Sequence, residues 1–271
     1  MMRALYTAAS GMRAQQTNVD NISNNIANVN TTAFKSQKTE FKSLLYQTIQ
    51  TRTTSANGEE KPIGAQVGLG TRVASNTTSY TQGEMLEDER KSAFAIEGNG
   101  FFQVRGADGT TYYTRNGNFN WSIGPTGTTL TNTDGYPVLD SNGNTIVLPN
   151  NVNSGKAVVT TDGQVGYYNN AGAYVSMNRT IGLSQFNNPA GLEKAGSNLL
   201  RATNASGAAL NEATNANLTR SKIHQGYLEG SNVQVADEMV NLIVAQRAYQ
   251  LNSKAITTSD DMLEQANNLK R

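Results

Sequence analysis

Cysteine is absent from this chain of 271 residues and histidine occurs once, which excludes disulfides, thiolate metal ligands and the common His/Cys zinc sets. The single histidine, His224 in His-Gln-Gly-Tyr, reads as a surface or packing residue, because most roles of imidazole need partners that are missing here. Neither sign of charge dominates. The formal net charge is +1 and no Lys/Arg run concentrates enough cation to hold a phosphate backbone, so nucleic acid is not an expected partner. No apolar run approaches the roughly 20 residues that cross a bilayer. Met1 to Ala9 carries one Arg with no apolar segment or small-residue cleavage site behind it. Neither a membrane span nor a cleaved secretory signal is expected.

Binding and catalytic motifs are equally thin. Gly64-Ala-Gln-Val-Gly68-Leu-Gly70 has its glycines in the wrong order for a dinucleotide fingerprint and no Lys-Ser/Thr follows, so it reads as structural and no cofactor is expected. Asp140, Asn142 and Asn144 open like a calcium loop, but Thr145 stands where Gly is required and no Glu closes the site. A β-turn accounts for them better, and no metal site is expected. Glycoside hydrolysis needs two carboxylates across a cleft. Asp260 and Asp261 are neighbours on a helix and point apart, and Glu87, Asp88 and Glu89 with Arg90 form a solvated charge cluster. No catalytic residue is assigned, and the chain reads as a non-enzyme.

What is present is periodicity at the ends and turn chemistry in the middle. Leu5, Ala8, Met12, Gln15, Val19, Ile22, Ile26 and Val29 alternate three and four residues apart, the a/d seam of a heptad helix broken only by Gln15. Arg13, Gln16, Asn18, Asp20, Asn24 and Asn25 make its polar back, and the helix from Leu5 to Val29 is roughly 36 Å long. At the other end Val235, Leu242, Tyr249, Ile256 and Leu263 recur every seven residues, widened by Met239, Ala245, Ala248, Ala255, Met262 and Ala266. A helix over 235–268 extends roughly 50 Å. Ser231, Asn232 or Asp237 is expected to cap it, and Thr257, Thr258 and Ser259 are expected to loosen it locally. Ordering such a helix costs more backbone entropy than a thin apolar stripe returns, which favours lateral neighbours over a free-standing hairpin.

Hydrophobic residues make up 37% of the chain and charged residues 16%, with 25 Gly, which suits one or two compact, turn-rich β parts better than one large core. Asp108-Gly109, Asn116-Gly117, Asp134-Gly135, Asn142-Gly143 and Asp162-Gly163 each supply the positive-φ residues of tight turns. Phe101, Phe102, Val104, Tyr112, Tyr113, Phe119 and Trp121 are the expected core. Thr39 to Ile49 fits a short helix or a strand, Thr51 to Lys61 a polar extended loop, and Gly64–Val73 and Tyr80–Met85 returning strands.

The runs Ala9-Ser10-Gly11-Met12, Gln15-Gln16-Thr17 and Ser23 to Lys35 (Ser-Asn-Asn-Ile-Ala-Asn-Val-Asn-Thr-Thr-Ala-Phe-Lys) closely resemble the start of bacterial flagellar rod and hook proteins. Gln225-Gly226-Tyr227-Leu228-Glu229, Ser231-Asn232-Val233, Glu238-Met239-Val240, Gln246-Arg247-Ala248-Tyr249, Asn252-Ser253-Lys254 and Asp261-Met262-Leu263 look like the matching end. Ala95 to Phe102 and Tyr113 to Phe119 resemble the β domain shared by the larger rod subunits and the hook. Residues 121–222 carry the least likeness. The wording of the last helix and the polar stretch 51–61 are similar to the distal rod, where such an insertion accompanies a stiff shaft.

The resemblance implies an α+β chain in three parts: a terminal helical polymerisation domain (1–33 and 233–271), a connecting β-rich domain (34–92 and 195–232) with an extended loop near 51–61, and an outer β domain (93–194). It implies a structural subunit of the basal-body rod that forms a rigid hollow drive shaft across the periplasm and passes torque to the hook. Export unfolded through the flagellar secretion channel, without a cleaved signal, belongs to the same expectation. The implied partners are further copies in a helical homopolymer, the proximal rod subunits, the hook protein, the ring proteins at peptidoglycan and outer-membrane level, and the export apparatus. Leu5, Met12, Val19, Ile22 and Ile26 with Val235, Leu242, Tyr249, Ile256 and Leu263 are the candidate polymerisation core. Rival readings are another large rod or hook-type subunit, a surface adhesin or glycan-binding module using some of the eleven tyrosines, and a glycosidase. Leu242→Asp is expected to leave the β domain folded and to abolish rod assembly, checked by motility and by recovery of assembled rods.

Overall fold

A computed structural model describes residues 2–50, 65–124, 127–149, 152–169 and 172–269; the stretch 51–61 lies outside them. The chain is α+β, with a helix at each end and antiparallel strands between, and it divides into two compact units. One unit comprises Met1–Ala27, Gln37–Thr78 and Gln234–Arg271, the other Asn28–Ser36 and Ser79–Val233.

In the first unit, helix α1 (Met2–Ala27) and helix α2 (Val235–Asn268) pack against each other. Two contacts fix their direction: Asn25 Nδ2 donates to Glu238 Oε1 at 3.0 Å, and the Asn252 side chain lies against Gly11. Both contacts span 14 residues in opposite senses on the two helices, so the pair is antiparallel and in step. Part of each apolar stripe is therefore used within the chain, although its entropy cost favours lateral neighbours over a free-standing hairpin. Strands β1 (Gln37–Ser43), β2 (Tyr46–Gln50), β3 (Ala65–Gly68) and β4 (Thr71–Thr78) form two antiparallel pairs, β1 with β4 and β2 with β3, so the segment Thr39–Ile49 is strand and not helix. Gly70, at φ +115°, brings this ribbon onto α1, where a Cβ would collide with Ser10 Oγ; that hydroxyl accepts from Thr71 N at 3.2 Å.

Several local expectations are revised. α1 ends at Ala27 and not Val29, because Asn28 begins a turn whose carbonyl accepts from Thr31 N at 3.1 Å. Gln234 occupies the α2 N-cap without a side-chain bond. Asn232 is committed elsewhere, accepting from Ser36 N at 2.7 Å and donating to the Ser79 and Thr81 carbonyls, while Asp237 and Glu238 sit in the first turn, where the helix dipole favours them. α2 runs unbroken through Thr257, Thr258 and Ser259, whose hydroxyls bond back to the carbonyls of Lys254 and Ala255 within the preceding turn. Asn25 is no part of a solvated back. It is buried, and besides its bond to Glu238 it exchanges two bonds with the Gln37 backbone.

The second unit is built on a six-stranded sheet in the order Glu193–Gly196, Leu199–Arg201, Thr111–Thr114, Phe101–Arg105, Leu183–Gln185, Leu210–Asn211, with two three-stranded sheets beside it. The strand Phe101–Arg105 is buried on both faces, as the pleat allows. Phe102 and Val104 enter the main core with Phe94, Ile96, Phe119 and Leu130, while Phe101 enters a second cluster with Tyr113, Phe186, Leu192 and Leu200. The expected aromatic core is therefore present, with Tyr112 and Trp121 only partly buried against it. Tyr80 to Glu84 is not strand; the ladder begins at Met85.

Gly109, Gly135, Gly143 and Gly163 take positive φ, as their turns require. Gly117 does not, and is needed for another reason: a Cβ there would lie 1.8 Å from the Phe94 carbonyl oxygen. Gly117→Ala is expected to destabilise this unit by about 3 kcal/mol or more, read as a lower urea midpoint in the fluorescence of Trp121, the only tryptophan.

Candidate functional site

The ten candidate assembly residues divide by exposure. On α1, Ile22 is buried and Leu5, Met12, Val19 and Ile26 are half-buried. On α2, Leu242, Ile256 and Leu263 are half-buried, while Val235 and Tyr249 are exposed. Glu238, Leu242, Ala245, Asn252, Ile256, Ser259 and Leu263 recur at three- and four-residue steps or their sum, on the side of α2 that meets α1 through Glu238 and Asn252.

A second apolar set lies largely outside the heptad stripe. Met239, Val240, Ile243, Val244 and Leu251 are between 55% and 69% exposed, on faces of α2 turned away from α1. Apolar residues surround much of this helix, so its pattern does not tell which of them α1 uses. A helix with exposed apolar residues on more than one face has more than one face to cover.

In the second unit, Glu229 is 1% exposed and its carboxylate is shared by two buried cations. Lys35 Nζ lies 2.6 Å from Oε1, and Arg115 Nε lies 3.0 Å from Oε2. Arg115 Nη2 also donates to Oε1 at 3.3 Å, while Lys35 Nζ donates to Thr81 O at 2.7 Å, and Arg115 Nη1 to Gly98 O at 2.6 Å and Gly100 O at 2.7 Å. Gly83 N completes the carboxylate's shell at 3.1 Å. Burial alone would raise the Glu229 pKa, but Arg115 and Lys35 outweigh it and hold the group below the usual carboxylate range. Burial is also the largest influence on Lys35 and lowers its pKa, more than Glu229 restores, with Arg115 repelling it further. The two directions agree physically. One anion gains from two cations, whereas each cation has only a share of one anion.

Three further charged or acidic groups have structural partners. Asp140 Oδ1 accepts from the backbone of Asn142 and Asn144, as a turn predicts. Asp88 chelates Arg90, and His224 Nε2 lies 2.8 Å from Glu97 Oε2, which helps hold the Glu97 pKa down. Among the described residues no cluster of His, Cys, Asp or Glu could hold a metal ion, and no helix is long and apolar enough to cross a membrane.

Three family models match the chain: "Flagella basal body rod protein" over residues 5–35, "Flagellar hook protein FlgE/F/G D1 domain" over 95–167, and "Flagellar basal body rod FlgEFG protein C-terminal" over 224–269. Each matched segment contributes one member of the ion triad, Lys35, Arg115 and Glu229 in turn. The class is thus that of flagellar rod and hook subunits. The flagellar basal-body rod protein FlgG of Borreliella burgdorferi is 43% identical over 272 residues, covering 100% of both chains. That of Agrobacterium fabrum is 41% identical over 96% of this chain and 97% of its own, and that of Bacillus subtilis 40% over 100% of both. The chain belongs to the FlgG family of flagellar basal-body rod proteins, and is a structural rod subunit and not an enzyme.

Glu229→Gln leaves two buried cations without an anion and is expected to cost about 3–5 kcal/mol near neutral pH. Since the folded pKa of Glu229 lies below the ordinary 4.5, its contribution is present above that pH and is lost as pH falls through the folded value. Urea unfolding followed by Trp121 should show the gap between native chain and variant narrowing below pH 4.5.

Proposed function

We propose that the chain forms the distal part of the rod, a rigid hollow drive shaft that crosses the periplasm and passes motor torque to the hook. The observation that carries this reading is the pair of terminal helices whose mutual packing leaves Met239, Val240, Ile243, Val244 and Leu251 uncovered. Neighbouring copies would cover that set, so that paired helices build a coiled-coil-like inner tube and the β parts pack around it. Many weak contacts in parallel then carry torque. The division into polymerising ends (1–33 and 233–271), a connecting part (34–92 and 195–232) and an outer part (93–194) belongs to the same proposal. So do Leu5, Met12, Val19, Ile22, Ile26, Val235, Leu242, Tyr249, Ile256 and Leu263 as assembly residues, now joined by the exposed set.

The partners in this reading are further copies of the chain, proximal rod subunits, the hook protein, the ring proteins at peptidoglycan and outer-membrane level, and the export apparatus that delivers the chain without a cleaved signal. A second reading, another large hook-basal-body subunit, draws on a 32% likeness over the full length to the flagellar hook-basal body complex protein FlhP of Bacillus subtilis. The FlgG relatives cited above are more similar, which favours the rod.

Val244 is 62% exposed, so Val244→Asp should change monomer stability by no more than about 0.5 kcal/mol while abolishing rod assembly. Urea unfolding and recovery of the variant in isolated basal bodies check the two halves; normal incorporation would sink the proposal.

A further inference from the structure

A groove of about 440 Å³ runs between α1 and β4 in the first unit. Tyr6, Ser10, Arg13 and Thr17 line one side, a single face of α1, and Arg72 and Val73 line the other. No carboxylate lines it, and neither arginine has an ion-pair partner among the described residues. The groove is therefore a cationic slot with a partly apolar wall.

The complementary charge lies at the far end of α2. Asp260, Asp261 and Glu264 are exposed on its last turns and form no ion pair among the described residues. Glu264 lies close to the helix C-terminus, where the dipole disfavours a carboxylate, and the last turn up to Asn268 holds no cation. The same chain does not bring the two together. The antiparallel register that sets Gly11 beside Asn252 continues to place Asp261 beside the first residues of α1, roughly 12 Å along the axis from the middle of the groove. The groove also lies on a face of α1 turned by about a third of a turn from the one that meets α2.

We propose that the groove receives the acidic last turns of α2 from a second copy of the chain, Arg13 and Arg72 pairing with Asp260, Asp261 and Glu264. This rests on the polymerisation reading and gives it a specific joint. The two patches differ, so the contact is head-to-tail, leaves one slot and one acidic end free on every addition, and propagates. Exposed charges give such a joint register and encounter rate more than affinity.

The test is a charge swap in cells whose only copy is the variant, reading the amount of chain recovered in isolated basal bodies. Arg13→Glu with Arg72→Glu, and separately Asp260→Arg, Asp261→Arg and Glu264→Arg, should each lower incorporation roughly tenfold or more. All five together should restore most of it. Normal incorporation of either set alone, or no recovery on combining them, would overturn the joint, with circular dichroism of the purified chains confirming the fold. If a full set unfolds the monomer, the pair Arg72→Glu and Asp261→Arg is read in the same way. Val244→Asp, run beside them, separates the two proposals. Loss with that variant and normal incorporation of the charge sets removes the joint alone, whereas normal incorporation of all of them removes the polymerisation reading as well.

Discussion

The carboxylate of Glu229 is the constraint on which the second unit depends. A buried anion is tolerated only when its oxygens are engaged, and here they are engaged by Lys35, Arg115 and the Gly83 amide, which come from widely separated parts of the chain. The backbone carbonyl of Glu229 also accepts from Ala33 N at 2.8 Å, so one residue fixes the segment entering the unit by both side chain and main chain. Asn232, three residues on, binds Ser36, Ser79 and Thr81 and seals the same crossing. Polar groups perform this task because they define one arrangement of three strand ends, which an apolar contact would leave free to slide.

The first unit follows a different logic. Its helices cover each other on one side, α1 is covered on another by a two-stranded ribbon, and buried Asn25 joins α1, β1 and α2. The remaining apolar surface of α2 has no cover among the described residues. The proposed polymerisation would use this combination: one unit closed by its own buried charges and one with apolar surface left for neighbours to cover.

Much of this was legible in the residues. The heptad recurrence of Val235, Leu242, Tyr249, Ile256 and Leu263 located α2 because period and length dominate helix formation, and Asp-Gly pairs located turns because few residues accept positive φ. Gly117 is not distinguishable in the sequence, since a glycine required for close approach looks like one required for φ. Asn25 reads as polar surface in the sequence because an amide on a helix shows no sign of its buried partners. The triad stayed hidden although each member lies in a recognisable run, since nothing local pairs a lysine with a glutamate far along the chain. Val240, Ile243 and Val244 lie outside the heptad stripe, which marks one side of a helix that carries apolar residues on several.

Lys35 and Glu229 are 194 residues apart in sequence. Closing a loop of that size is entropically slow and is rewarded only when both ends are present. However the chain is delivered, from either end, the charged lock cannot shut until nearly the whole of it has arrived. The second unit therefore has a built-in order of completion: its sheets can begin to pair early, but its final topology waits for a latecomer.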